Sequence, residues 1–177
     1  MNSLKKPSQR LPLLNIVVAL VFLTLLPLSR ASDNTPCQSS TTTAASNADL
    51  RAGDIVFIHV GGPLFSRIAA TSKGWVSHVG IIVGQQQGVW MVAESAVPCS
   101  RKTSLDSFLK RSTTGQFAIK RLKSGLTAPQ IETLHSAVDH RMNKVYDFGF
   151  NLDSKRSSFC SKFVYQVVQE STGQSLR

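Results

Sequence analysis

The run Ser158-Phe159-Cys160-Ser161-Lys162-Phe163-Val164-Tyr165-Gln166-Val167-Val168 decides how the rest of this chain is read. Its apolar residues recur three and four apart, the spacing of one helix face. The run is therefore an amphipathic helix with a cysteine at its head. A helix N-terminus favours negative charge, so a thiol there is biased toward thiolate. Such a thiol needs a base. Upstream, Ser77-His78-Val79-Gly80-Ile81-Ile82-Val83 places His78 at the opening of an apolar strand. An imidazole that takes or shares the proton completes the minimum for a cysteine nucleophile. Histidine comes first along the chain and cysteine last.

Around these two runs the pattern predicts an α+β domain, a small antiparallel sheet with helices packed against it. Ile55-Val56-Phe57-Ile58-His59-Val60 follows Gly53-Asp54, is rich in β-formers and stops at Gly61-Gly62-Pro63. Leu64 to Thr71 spaces its apolar residues as a short helix does. Ser77–Val83 is a second strand closed by Gly84, Gln85–Gly88 a turn, and Val89–Glu94 a third strand in a hairpin with the second. Ser104 caps a short helix through Leu109. Phe117–Leu122 alternates as a fourth strand. Thr127-Ala128-Pro129 starts a helix with Ile131, Leu134, Val138 and Met142 on one face. An aromatic loop, Tyr146-Asp147-Phe148-Gly149-Phe150, leads toward the cysteine helix, which ends before Gly173.

The chain has 177 residues, room for one main domain. Its start reads as a signal peptide over 1–31. Lys5, Lys6 and Arg10 precede a mostly apolar stretch from Leu11 to Leu28, and Ser29-Arg30-Ala31 offers small residues for cleavage. The alternative is an uncleaved anchor in the inner membrane. Residues 32–49, dominated by Ser, Thr, Ala and Asn, read as a flexible spacer. The folded domain is expected over 50–177. The formal charge is +10, and removing Lys5, Lys6, Arg10 and Arg30 leaves +6, because no acidic residue leaves with them. That surface suits an anionic envelope, acidic head groups or acidic wall polymers. No nucleic-acid motif is present, and an export signal argues against such a partner. There are three cysteines, Cys37, Cys99 and Cys160. In an oxidising compartment an odd count points to one reactive thiol. The simplest assignment keeps Cys160 free and lets Cys37 and Cys99 pair.

Five segments in this order resemble a known family. Arg51-Ala52-Gly53-Asp54-Ile55-Val56-Phe57, Ser77-His78-Val79-Gly80-Ile81, Val92-Ala93-Glu94-Ser95, Val145-Tyr146-Asp147-Phe148 and Phe159-Cys160-Ser161-Lys162-Phe163-Val164 are similar to the permuted papain-like branch of the NlpC/P60 superfamily. Within it they resemble most the YebB/YiiX-like bacterial cysteine hydrolases. The resemblance spans Leu50 to Arg177. It implies a circularly permuted papain-like fold, with Cys160 as nucleophile, His78 as base and Glu94 at the polar position that orients the imidazole. Read from the residues, Glu94 lies on the strand beside His78, where a carboxylate can accept the second imidazole N–H. It can equally be a strand-end carboxylate in water. Tyr146 either lends its hydroxyl to the substrate pocket or packs under the cysteine helix. Members of this group continue past the cysteine helix, whereas this chain stops at Arg177.

The remaining candidates carry less. Asp54 caps a turn. His59, beside the Gly61-Gly62 turn, faces either the cleft or the solvent. His135 and His140 are five apart on a helix, a poor spacing for one metal, and no metal or other cofactor is expected. Lys155-Arg156 can draw an anion toward the cleft or simply sit in a solvated loop. The expectation is an exported cysteine hydrolase that cleaves an amide, with cell-wall peptides as substrate through the resemblance. The alternatives are a lipid acyl hydrolase or acyltransferase, and a catalytically silent envelope-binding domain of the same fold.

Overall fold

The computed structural model describes residues 49–175. The N-terminal apolar segment, nearly all of the Ser/Thr-rich spacer and Cys37 lie outside the described residues. In chain order the elements are β1 (Ile55–Ile58), α1 (Pro63–Thr71), β2 (His78–Gln86), β3 (Val89–Ser95), β4 (Ser100–Ser104), α2 (Leu105–Leu109), β5 (Phe117–Lys120), α3 (Ala128–Asp139), β6 (Val145–Tyr146), β7 (Ser157–Ser158) and α4 (Cys160–Thr172). The main sheet has the order β4-β3-β2-β1-β5, antiparallel throughout. The fold class is the expected one.

Alternation along β2 sorts the core onto the two faces of this sheet. Val79, Ile81 and Val83 pack with Phe163, Val164, Val167 and Val168 of α4 and with Leu134, Ala137 and Val138 of α3. Ile82 packs on the other side with Val56, Ile58, Val92, Leu105 and Phe108. Gly80 sits on that second face. A Cβ there would lie 2.5 Å from Val92 Cγ1 and 2.9 Å from Phe108 Cε2. The missing side chain is what lets α2 approach the sheet.

Local signals hold at several ends. The Ser104 hydroxyl accepts the Ser107 N–H and caps α2. Thr127 and Gln130 form a capping box at the start of α3. The second strand does not stop at Gly84. The β2–β3 register slips between Ile82 and Gly84, so this glycine marks a bulge and pairing continues to Gln86. The hairpin turn is only Gln87-Gly88, with φ of 50° and 78°, the two positive values of a type I′ turn.

Two features were not expected. β4, Ser100-Arg101-Lys102-Thr103-Ser104, has no apolar alternation and is held by its ladder to β3. β6 and β7 form a two-residue parallel pair, Val145 opposite Ser157 and Tyr146 opposite Ser158. This pair matters for function, because it brings the aromatic loop beside the residues that enter the cysteine helix. Among the described residues, no helix is long and apolar enough to cross a membrane.

Candidate active site

Cys160 is the first residue of α4, after Phe159 in an extended conformation. Phe159 has no side-chain oxygen, so no side chain caps the first turn. The N–H groups there remain available to an anion. The Ser161 and Val79 N–H groups both favour the Cys160 thiolate. Cys160 is free, whereas Cys99 is disulfide-bonded.

His78 begins β2. Its side chain belongs by alternation to the second face, where the ring stacks on Phe108 at 5.6 Å with a 29° tilt. Phe65 of α1 meets it edge-on at 6.2 Å. The body of α4 packs on the opposite face. The thiol nevertheless reaches the imidazole, because His78 stands where the strand begins and Cys160 where the helix begins. Each favours the charged form of the other.

The imidazole's other side is fixed. His78 Nε2 donates to Glu94 Oε2 at 2.6 Å, and the two side chains are 1% and 0% exposed. This leaves Nδ1, which is buried and has no hydrogen-bond partner of good geometry, as the nitrogen available to the thiol. Glu94 is thus no strand-end carboxylate in water. It also accepts from Arg111 Nη2, at 2.8 Å to Oε1 and 2.7 Å to Oε2, and pairs with Arg101 Nε at 3.3 Å.

The electrostatics follow from these contacts. Burial is the largest influence on Glu94 and pushes its pKa up. The His78 hydrogen bond, the imidazolium charge and Arg111 together outweigh burial and bring it to about 2. Burial also opposes the charged form of His78, yet Cys160 and Glu94 together hold its pKa above the ordinary histidine value. For Cys160 burial raises the pKa, and His78 with the Ser161 and Val79 N–H groups lowers it below the usual thiol value. A base raised and a thiol lowered favour a thiolate–imidazolium pair.

Tyr146 is buried, and its hydroxyl has no hydrogen-bond partner of good geometry. Burial, then the charge of Cys160, keeps this phenol protonated well above the ordinary range. The hydroxyl is near enough to Cys160 to feel its charge. Its place is set by β6, by Tyr146 N–H to Pro98 O at 2.9 Å and by Asp147 N–H to Ser158 O at 2.8 Å.

A groove of about 460 Å³ opens at Cys160. Leu64, Ile68, Phe148, Phe150 and Phe159 make it mainly apolar, with Arg67 at its side. The aromatic loop that walls it is clamped from within. Lys162 is buried, and its ammonium donates to the carbonyls of Asn151, Ser154 and Ser157 at 2.9, 2.6 and 3.4 Å. Ser95, next to Glu94, ties β3 to the Cys160 approach by donating to Ser158 O at 2.9 Å.

Residues 49–177 match the family described as permuted papain-like amidase enzymes of the YaeF/YiiX type, the C92 family. The chain belongs to this family. One relative is the uncharacterized protein YiiX of Escherichia coli K12, 26% identical over 121 residues. That match covers 68% of this chain but 58% of the relative's length. A solved structure, described as the metalloprotein yiiX from Escherichia coli O157:H7, superposes with a TM-score of 0.66 at 26% identity. It covers 71% of this chain and 68% of the other. The family's description is that of permuted papain-like amidases, which supports reading this site as that of a hydrolase.

Of the sequence candidates, Cys160, His78, Glu94 and Tyr146 come together. The others do not join them. Asp54 is buried, accepts the Arg51 N–H across its turn and holds Arg121 at 2.7 Å, a structural pair. His59 Nδ1 is bonded to Trp75 O at 2.6 Å and His135 Nε2 to Val83 O at 2.7 Å. His140 and Lys155 line a separate cavity of about 430 Å³. Arg111, Arg101, Ser95 and Lys162 support this cluster and its loop through contacts that sequence reasoning missed. Ser95 and Lys162 stand inside segments that carry the resemblance, whereas Arg101 and Arg111 had no such signal.

Proposed function

We propose that this protein is an exported amidase that opens an amide bond in cell-wall peptides through Cys160, His78 and Glu94. The single observation that carries the catalytic reading is the His78–Glu94 bond of 2.6 Å, which leaves Nδ1 to the Cys160 thiol. The thiolate adds to the carbonyl carbon. The oxyanion is held by N–H groups of the first turn of α4 and by the Tyr146 hydroxyl. As the C–N bond breaks, the His78 imidazolium gives its proton to the leaving amine. The acyl group is then a thioester on Cys160. Water, losing a proton to neutral His78, attacks it, and the carboxylic acid leaves as the thiol is restored. Glu94 holds the ring and balances its charge throughout.

Wall peptide as substrate comes from the family resemblance, and export from the apolar segment before residue 32. The positive charge fits an anionic envelope surface as a partner. A second reading, a lipid acyl group, is favoured by the apolar groove at Cys160. The solved relative is described as a metalloprotein; among the described residues of this chain no three His, Cys, Asp or Glu side chains gather to hold a metal. No step is routed through a metal.

The test is incubation of the full chain with purified wall fragments and, separately, with phospholipid vesicles, followed by mass spectrometry. New amine and carboxyl ends in the wall peptides, absent with Cys160→Ala, support the proposal. Fatty acid from the vesicles alone moves the substrate to the second reading. Products that persist with Cys160→Ala, or no products from either, contradict the catalytic assignment.

A further inference from the structure

Glu94 has more cationic partners than orienting one imidazole requires. Arg111 follows α2 and is 31% exposed in its side chain, yet one of its nitrogens bridges both oxygens of a carboxylate that is wholly buried. The same guanidinium lies 5.0 Å over the Phe108 ring. Phe108 in turn stacks on His78. One arginine thus touches both supports of the imidazole, the carboxylate at Nε2 and the ring on its face.

We propose that Arg111 is a positioning residue of this site. It fixes the Glu94 carboxylate toward His78, presses Phe108 onto the imidazole, and takes up part of the Glu94 charge that would otherwise act on His78 alone. The inference rests on the Cys160–His78 assignment. A carboxylate with one partner can turn about its terminal torsion, which is broad. Arg111 and Arg101 remove that freedom. A planar guanidinium can bond the carboxylate and lie over a ring at once, and a lysine ammonium cannot do both as well. The charge effect has a definite sign. The groups facing His78 are Glu94 from β3 and Cys160 from α4, with the uncharged rings of Phe65 and Phe108 from α1 and α2. Arg111 and Arg101 act through Glu94, and Tyr146 through Cys160. Loss of a cation from this set makes proton binding easier, so the titration of His78 moves to higher pH.

The experiment uses the full chain with 15N-labelled histidine, following the His78 ring nitrogens and the Nε2 proton against pH. Arg111→Gln removes the charge and is expected to raise the His78 midpoint by roughly half a pH unit or more. Arg111→Lys keeps the charge. Its midpoint should stay near wild type, while exchange of the Nε2 proton with water becomes several-fold faster because the planar support is gone. Neither change follows from a role confined to stability. A Gln variant with the wild-type midpoint, or a Lys variant with the wild-type exchange rate, overturns the proposal. If Arg111→Gln does not fold, the exchange rate in Arg111→Lys decides alone. A wild-type protein in which His78 titrates independently of Cys160 alkylation refutes the underlying pair instead, so the two failures are distinguishable.

Discussion

Glu94 is a charge in a place that water does not reach, and three cations make that place tolerable. Its carboxyl is brought from 4.5 to about 2 on folding. A depressed carboxylate contributes stability above its unfolded pKa and loses it as pH falls through the folded one. We therefore expect stability to decline between about pH 4.5 and pH 2, by an amount on the order of 3 kcal/mol from this group. Glu94→Gln should flatten that part of the curve, and urea titrations at stepwise pH measure it. An unchanged acid slope in the variant contradicts the ledger. His78 has the opposite sign. Its raised pKa gives stability that is present below the unfolded value of 6.5 and lost as pH rises through the folded one. Cys160 and His78 were legible in sequence because each stands at the start of a well-patterned run. Arg111 was not. It sits in the polar stretch Lys110-Arg111-Ser112, and its partner lies 17 residues away on another element.

At the scale of elements, strand ends and helix ends do the positioning. The sheet gives the His78 side chain to one face and the body of α4 to the other, and the imidazole comes to the thiol only where β2 and α4 both begin. Gly80 sets how closely α2 brings Phe108 to the imidazole. Gly80→Ala forces its Cβ against Val92 and Phe108. The expected cost is about 1–3 kcal/mol in chemical denaturation, with activity falling further than the loss of fold explains. Wild-type stability in that variant would show that the contact is loose. The β2–β3 hairpin was legible, since apolar runs flank Gly88. The bulge at Gly84 was not, because a glycine inside a strand and one after it look alike in sequence. β4 escaped notice because Ser100-Arg101-Lys102-Thr103-Ser104 has no apolar alternation. Its pairing with β3 creates it, and it carries Arg101 to Glu94.

Across the described part of the molecule, one sheet separates two apolar clusters that both support the site. Phe163 is fully buried in the cluster under α4, and Phe108 in the other. Either, changed to Ala, should cost about 3–5 kcal/mol with the transition remaining single and its denaturant slope unchanged. Two separate transitions would mean that the faces fold independently. Phe108→Ala should also alter the titration of His78, whereas Phe163→Ala should not. The overall class was legible because the apolar periods switch cleanly between two and 3.6. The charge network was not, because Arg101 and Arg111 acquire meaning only when distant strands and loops assemble. The account's central claim is that Cys160 and His78 share a proton, and the most direct measurement is the rate of Cys160 alkylation by iodoacetamide across pH. The claim predicts a reactive plateau well below the free-thiol pKa of about 8.5, lost in His78→Ala. A wild-type profile like that of a free thiol, unchanged by His78→Ala, would contradict it.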